Sequence, residues 1–147
     1  MAESWSPTLE DVAGFIPTRT RDASKPGSDT LLGTFTTDTT PTDEQATRTI
    51  RAAAAHVLGA TGPIPAAPEH LSILASTAAA LRAAADIELA FPDSDADVQV
   101  YEQLNRRAEE ALQQLVDAVN DAGSGPEGSL LPVWVMPEGP WWGDYPL

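Results

Sequence analysis

Three aspartates, Asp93, Asp95 and Asp97, have the spacing that opens a calcium-binding loop. Such a loop needs glycine at its sixth position and a bidentate glutamate at its twelfth. Val98 and Leu104 occupy those two positions. We therefore predict no calcium site here, and we expect the acids to cap and charge the amino end of a helix.

The other residue types that could do chemistry are also poorly placed for it. The two histidines, His56 and His70, have no His or Glu partner at a metal-binding spacing, and there is no cysteine to act as a nucleophile or zinc ligand. The run Gly123-Ser124-Gly125 lacks the pattern of a nucleophile elbow, and no glycine-rich phosphate loop is present. We expect neither a metal nor a cofactor.

Glu88 is the one acid that lies among apolar residues of a helical pattern. A carboxyl group in that position could have a raised pKa and act as a general acid or base. Without a second catalytic group, we interpret it as structural and expect an arginine partner, such as Arg48 or Arg51 on a neighbouring helix. The prediction is that the protein is not an enzyme.

The C-terminal tail, residues 130–147, contains three of the four tryptophans of the chain. Four prolines within it are incompatible with a helix or an inner strand. We predict that the segment binds a partner: residues 133–136 add as a strand to a sheet edge, and the later aromatics fill pockets. The predicted contacts are Val133, Trp134, Val135, Met136, Trp141, Trp142 and Tyr145.

Size and charge limit the functional classes. The 147 residues suffice for one domain, and a net charge of −14 disfavours binding to phosphate backbones. The amino terminus has neither the basic start nor the apolar core of a signal peptide, and no apolar stretch is long enough for a membrane span. We expect a soluble, unexported protein.

Helical periodicity and proline positions predict four helices, at about 7–14, 41–58 and 68–91, and from a start within 93–104 to about 122. We expect an all-α fold, a small helical bundle with a long N-terminal loop or loose β-hairpin and an extended C-terminal tail. Three parts follow: residues 1–40 form a short helix and a loop arm, 41–122 the bundle core, and 123–147 a linker and tail.

Apolar patterns assign positions to these helices. The third helix should be central, because it has two apolar stripes. The fourth should bury one face and expose a charged one. The stripes of the third are Leu71, Leu74, Ala78, Leu81, Ala85, Leu89 and Ile73, Thr77, Ala80, Ala84, Ile87; the face of the fourth is Val98, Tyr101, Leu104, Ala108, Leu112, Leu115, Val119.

The segment from Ile16 to Thr40 is rich in Thr, Asp, Gly and Pro, with two β-prone pieces, IPTRT and LLGTFTT. Connections of this length are usually functional or disordered. Before it, Trp5 either packs the first helix onto the bundle or lies at a subunit contact. We predict Trp5, Arg19, Arg21 and Phe35 as protein-interaction residues.

A pattern of residues spans the first half of the chain: Trp5-x-Pro7-Thr8-x-x-Asp11-Val12-Ala13, Ile16-Pro17-x-Arg19-Thr20, Gly33-Thr34-Phe35 and Pro41-Thr42, with Ile87-Glu88-Leu89 later. It resembles the head-to-tail adaptor (head-tail connector) proteins of long-tailed phages that infect actinobacteria. The likeness covers about residues 4–122, and its motif is not catalytic. The tail lies outside it.

The resemblance implies a structural virion protein, a homo-oligomeric ring of about twelve copies between the portal and the stopper or tail proteins, with a lumen through which DNA passes. It implies a place in the virion neck, with host cytoplasm during assembly, and no membrane or sequence-specific nucleic acid as a partner. The alternatives are a cytoplasmic helical regulator or inhibitor that captures one partner with its tail and, less favoured, an enzyme of unknown type.

Overall fold

A computed structural model describes residues 3–93 and 95–123 of the chain. These residues form four α-helices, α1 (Leu9–Phe15), α2 (Asp43–Thr61), α3 (Glu69–Ala90) and α4 (Asp95–Gly123), with a 3-10 helix at Pro17–Thr20. Within the described ranges there is no β-strand. The predicted all-α bundle is therefore confirmed.

The first two α-helices begin two residues later than predicted. Thr8 and Thr42 are their caps, and in each case the threonine hydroxyl accepts the amide of the residue three positions on. Asp11 and Gln45 reach back to the cap amides and complete two capping boxes. The prolines before these caps lie outside the helices because the hydroxyl bond, not the proline, fixes the start.

Helix α2 also ends later than its glycines suggested. Gly59 lies inside the helix, and the chain leaves it at Gly62, which has φ of 71° and donates its amide to Leu58. A positive φ is rare for residues with a Cβ and is common for glycine. The helix therefore continues through Gly59 and ends at Gly62, where the backbone adopts this conformation.

Helix α3 is the central element, as predicted, and packs against each of the other three α-helices. Eleven of its residues are buried, and seven of these are alanines. The stripes were wrong at three positions: Ile73 is 60% exposed, Leu89 is 59% exposed, and Thr77 is exposed as well. Ile73 and Leu89 lie near the ends of α3.

Helix α4 buries Leu104, Ala108 and Leu115 against α3, so its predicted apolar face is confirmed along most of its length. Val98 was wrongly assigned to that face, since it is 52% exposed. It lies in the first turn, where α4 has just left the connection from α3.

Two groups of buried side chains form the interior. One joins all four α-helices to the N-terminal segment through Val12, Ile16 and Phe35. The other lies around Trp5, Val57 and Leu115. The segment before α2 therefore shares a core with the bundle. This shared core holds the segment in one orientation relative to the helices.

Candidate protein-interaction site

The segment between α1 and α2, residues 16–42, is the longest non-α-helical stretch among the described residues, and we call it the arm. Its first part is the 3-10 helix, although IPTRT had been expected to be extended. Pro17 occupies the first helical position, where its fixed φ suits a helix and its missing amide is not needed. The Thr20 hydroxyl then donates to the Pro17 carbonyl at 2.7 Å.

Beyond Thr20 the arm doubles back as a loose hairpin, as the sequence indicated. Arg21 and Leu31 form a single antiparallel bridge, and the Leu32 amide donates to the Thr20 carbonyl at 2.9 Å. The Gly33 amide donates to the Thr20 hydroxyl at 3.2 Å. Thr20 is therefore the residue that joins the two sides of the hairpin at its base.

A turn at Asp22 shapes the outer part of the arm. The Asp22 carboxylate accepts the hydroxyl and the amide of Ser24, and these bonds hold the pKa of Asp22 below its ordinary value. The Ala23 amide donates to the Asp38 carbonyl at 2.7 Å. The tip is thus tied to the returning chain by backbone bonds.

The returning part of the arm enters the body at Phe35, which is 2% exposed. Gly33, with φ of 78°, makes the turn that precedes it. The Thr36 amide donates to the Thr39 hydroxyl at 2.9 Å, in a partly buried turn that leads to α2. The arm therefore has one aromatic contact with the core and a polar turn beside it.

Arg19 fixes the other side of the arm. Its side chain is 6% exposed, and it holds Glu88 of α3 with two bonds, Nε to Oε1 at 3.0 Å and Nη2 to Oε2 at 2.6 Å. This is the arginine partner that Glu88 was expected to have, but Arg48 and Arg51 were the wrong candidates. Arg48 instead pairs with Glu44 on the surface of α2.

Two further carboxylates complete the cluster. Arg19 Nη1 lies 2.8 Å from Asp93, and Nη2 lies 3.2 Å from Asp97. The Asp93 amide also donates to the Asp97 carboxylate at 2.7 Å. These acids do charge the start of α4, as predicted, but they also surround a cation that comes from the arm. We call Arg19, Glu88, Asp93 and Asp97 the Arg19 cluster.

The electrostatics of the cluster favour a permanently charged arginine. The hydrogen bonds to Glu88 raise the pKa of Arg19 above its ordinary value, and the three nearby carboxylates add to this while burial opposes it. One guanidinium faces three carboxylates, so the cluster keeps a negative excess. Its outer member, Asp93, is 84% exposed and presents that charge to solvent.

An open hollow of about 450 Å³ lies between the arm and the Arg19 cluster. Thr18, Arg21 and Ala23 line its arm side, and Asp93 and Asp97 line its body side. Its lining combines charged side chains with the short side chains of Thr18, Ala23 and Thr40. A basic or hydrogen-bonding group of another chain fits this chemistry better than an apolar one does.

The predicted interaction residues divide sharply in the structure. Arg21 is exposed, with 58% of its side chain accessible, whereas Trp5, Arg19 and Phe35 are interior. Trp5 packs on α2, α3 and α4 and so fastens the N-terminal end to the bundle. A contact between these residues and another chain stays a prediction, as does the role of the tail, whose residues all lie outside the described ranges.

Two exposed residues of the arm were missed. Leu31 is 47% exposed and Leu32 is 39% exposed, next to Arg21 on the hairpin. The available signal was an apolar pair in the middle of a polar loop. Such side chains on a projecting hairpin have no core to fill, so they suit contact with another surface.

A second concave surface lies at the opposite end of α3 and α4. This α4-end groove has a volume of about 640 Å³ and separates the α2–α3 connection from the last turns of α4. Its residues include Pro65, Pro68, His70, Ala118, Val119 and Ala122. Gly123, where the described part of α4 ends and the tail region begins, also lines it.

The two surfaces are well separated. His70 in the groove and Glu88 in the Arg19 cluster are eighteen residues apart on α3, which is about 27 Å at the α-helical rise. The arm therefore leaves the body at one end of the α3–α4 pair, and the chain proceeds to its tail from the other.

The described residues contain no group of His, Asp or Glu side chains that could hold a metal ion. None of the helices described is both long and apolar enough to cross a bilayer. No protein-family model, curated protein or solved structure matches the chain. The arrangement itself is thus the basis for a function.

Proposed function

We propose that this protein is a structural virion protein, a head-to-tail adaptor that forms a ring between the portal and the stopper or tail proteins. The observation that carries the proposal is the placement of its two extensions. The arm and the start of the tail region lie at opposite ends of one long helix pair, about 27 Å apart along α3. A connector needs this arrangement because it must hold two partners at once.

The arm suits a contact that bears load. Its projecting hairpin carries Arg21, Leu31 and Leu32 at the surface, while Arg19 and Phe35 hold its base to the body. A hairpin fixed in this way presents its contact residues in one orientation. The partner therefore does not have to order a long segment, which would cost conformational entropy.

The sequence resemblance gives independent support. Three residues of the pattern are interior ones that position the arm: Arg19, Phe35 and Glu88. These residues join the arm to the body. In an adaptor, the arm is the part that would contact another subunit during assembly. In this proposal the family likeness and the geometry concern the same residues.

Charge is compatible with a DNA conduit. A net charge of −14 gives a ring of many copies a strongly negative surface. Phosphate backbones bind where lysine and arginine displace counterions, so an acidic lumen lets DNA pass without retaining it. The proposal includes neither a catalytic step nor a cofactor.

The experiment is a knockout in the phage that encodes the chain. Particles made without it should contain full heads and separate tails in electron micrographs, and mass spectrometry should find the chain in intact wild-type virions. Its absence from virions, or attached tails in the knockout, would overturn the proposal. Recovery of the chain only with one cytoplasmic enzyme would support the regulator alternative.

The arm can be tested within the same system. Complementation with Leu31→Asp/Leu32→Asp should fail to restore tailed particles, because the two charges replace the apolar surface of the hairpin. Ala52→Asp/Ala55→Asp is the matched control: both alanines are exposed on α2, away from the arm. Equal infectivity of the two variants would remove the arm from the proposal.

A further inference from the structure

The walls of the α4-end groove are mainly apolar. Pro65, Ala67 and Pro68 form one side and are exposed, so no described residue covers them. Ala118, Val119 and Ala122 form the other, with Asp121 as its one acidic residue. A groove of about 640 Å³ is within the range of sites that hold compact ligands.

The ring side chains in the groove favour an aromatic occupant. The apolar faces of Pro65 and Pro68 and the planar imidazole of His70 can stack on an aromatic ring, and the small alanines opposite them leave room for it. Indole is the side chain with the largest flat surface, and each tryptophan buries roughly 150–250 Å² when it is packed.

We propose that, in the unassembled protein, this groove is filled by the chain's own C-terminal tail, through one or more of Trp134, Trp141 and Trp142. The inference does not depend on the proposed function. It assigns a binding surface on the described body to a specific segment of the same chain, and it gives three indoles a place other than water.

Distance supports this occupant. Gly123 lines the groove, and Trp134 follows it by eleven residues. A flexible chain of eleven residues spans about 18 Å on average. Because Gly123 is itself part of the groove wall, this length is enough for Trp134 to fold back into the groove. The run Gly123-Ser-Gly-Pro-Glu-Gly128 contains the residues that allow such a reversal.

Effective concentration favours the chain's own tail over that of a second copy. A short flexible linker places its attached segment at millimolar effective concentration, which exceeds ordinary concentrations of the free protein. Exposed indoles are moreover an aggregation hazard. Docking in the same chain hides them before any partner is met.

The test is fluorescence quenching by acrylamide in the full-length chain. His70→Glu/Ala122→Glu adds two acids to the groove, and the tail contains acids but no lysine or arginine, so the pair repels it. Both positions are exposed, and glutamate is a good helix former. Ala52→Glu/Ala55→Glu adds the same charge on the exposed face of α2 and is the control.

The wild type should quench weakly, and the groove variant should show a severalfold higher quenching constant and a red-shifted emission, while the control behaves like the wild type. Single Trp→Phe replacements at 134, 141 and 142 identify the docked indole, because its loss removes the difference between groove variant and wild type. Far-UV circular dichroism checks that each variant retains its helices.

Three results would overturn the inference. Tail indoles that quench freely in the wild type would mean that the groove does not hold them. Protection that survives the groove substitutions would place them elsewhere. Protection that disappears on dilution would assign the groove to the tail of a second copy, since docking within one chain is independent of concentration.

Discussion

The helical body and the arm are stabilised in different ways. In the body, apolar contacts are distributed over many small side chains: α3 alone buries seven alanines. In the arm, the contacts with the body are concentrated in Ile16, Arg19 and Phe35, supported by local hydrogen bonds. The position of the arm therefore depends on fewer residues than the packing of the body does.

The difference extends to sequence distance. Neighbouring residues of a helix determine its apolar face, but Arg19 meets a carboxylate 69 residues away. Contacts of that kind order a segment only after the body has folded around them. We thus expect the arm to be displaced by substitutions that leave the helices intact.

The largest effect is expected at the Arg19 cluster. Arg19→Ala leaves the buried carboxylate of Glu88 unpaired, which typically costs about 3–5 kcal/mol. The free energy of unfolding, measured with urea and circular dichroism, should fall by that order. Asp93 contributes little to this figure because it is largely exposed.

A double variant separates the charge from the packing. Arg19→Met/Glu88→Leu removes both charges and keeps apolar volume, so most of the lost stability should return. If the double variant were as unstable as Arg19→Ala, shape rather than the ion pair would hold the arm, and the contrast with the body would weaken.

Within the body, Leu115→Ala should cost about 2–5 kcal/mol, since Leu115 is fully buried beside Trp5. Hydrogen exchange of the Ala23 amide, which bonds across the arm, should report the arm separately. Under native conditions Leu115→Ala should leave that amide protected, whereas Arg19→Ala should not. Equal loss of protection in both variants would make arm and body one cooperative unit.

A substitution at the boundary between the arm and the body should lower the free energy of unfolding by a smaller amount. Thr42→Ala removes the cap through which the arm passes into α2, at a cost of about 1 kcal/mol. Thr49→Ala is the control, because that hydroxyl lies exposed within α2 and donates only to the Gln45 carbonyl. Chemical denaturation of both variants should separate them; identical midpoints would contradict a role for the cap.

The smallest effect is expected at the tip of the arm in acid. Because the folded pKa of Asp22 is lowered, its contribution is present above the unfolded pKa, about 3.9, and is lost as pH falls through the folded value. The Ser24 amide resonance should therefore shift below about pH 4 while helical content is unchanged. In Asp22→Asn the shift should be absent; an unaltered titration would locate the acid response elsewhere.

The helices could be predicted from sequence because their determinants are local. The period of apolar residues gave α2, α3 and α4 to within a few residues at most boundaries, and the errors came from Thr42 and Gly62, where a hydrogen bond or a backbone angle decides. The partner of Glu88 could not be predicted. Its need for a cation was evident, but which of several arginines supplies it depends on how the arm folds back.

The arm illustrates the same limit. The residues IPTRT suit a strand, but the 3-10 helix they form brings Arg19 to the cluster, so tertiary contacts override local preference. Among the proposed contact residues, Arg21 was predicted from the sequence. Leu31, Leu32 and the α4-end groove were found only in the structure, because the exposure of a side chain depends on the tertiary fold.

Because α3 buries so many alanines, only some kinds of substitution can test how its core is packed. Truncation scans measure a core by removing methylene groups, but at Ala79, Ala83 and Ala84 there is almost nothing to remove. Enlargement is the informative direction: Ala→Leu at such sites forces the helices apart and typically costs about 1–3 kcal/mol. At these alanine positions of α3, natural variation should therefore be restricted to the smallest residues.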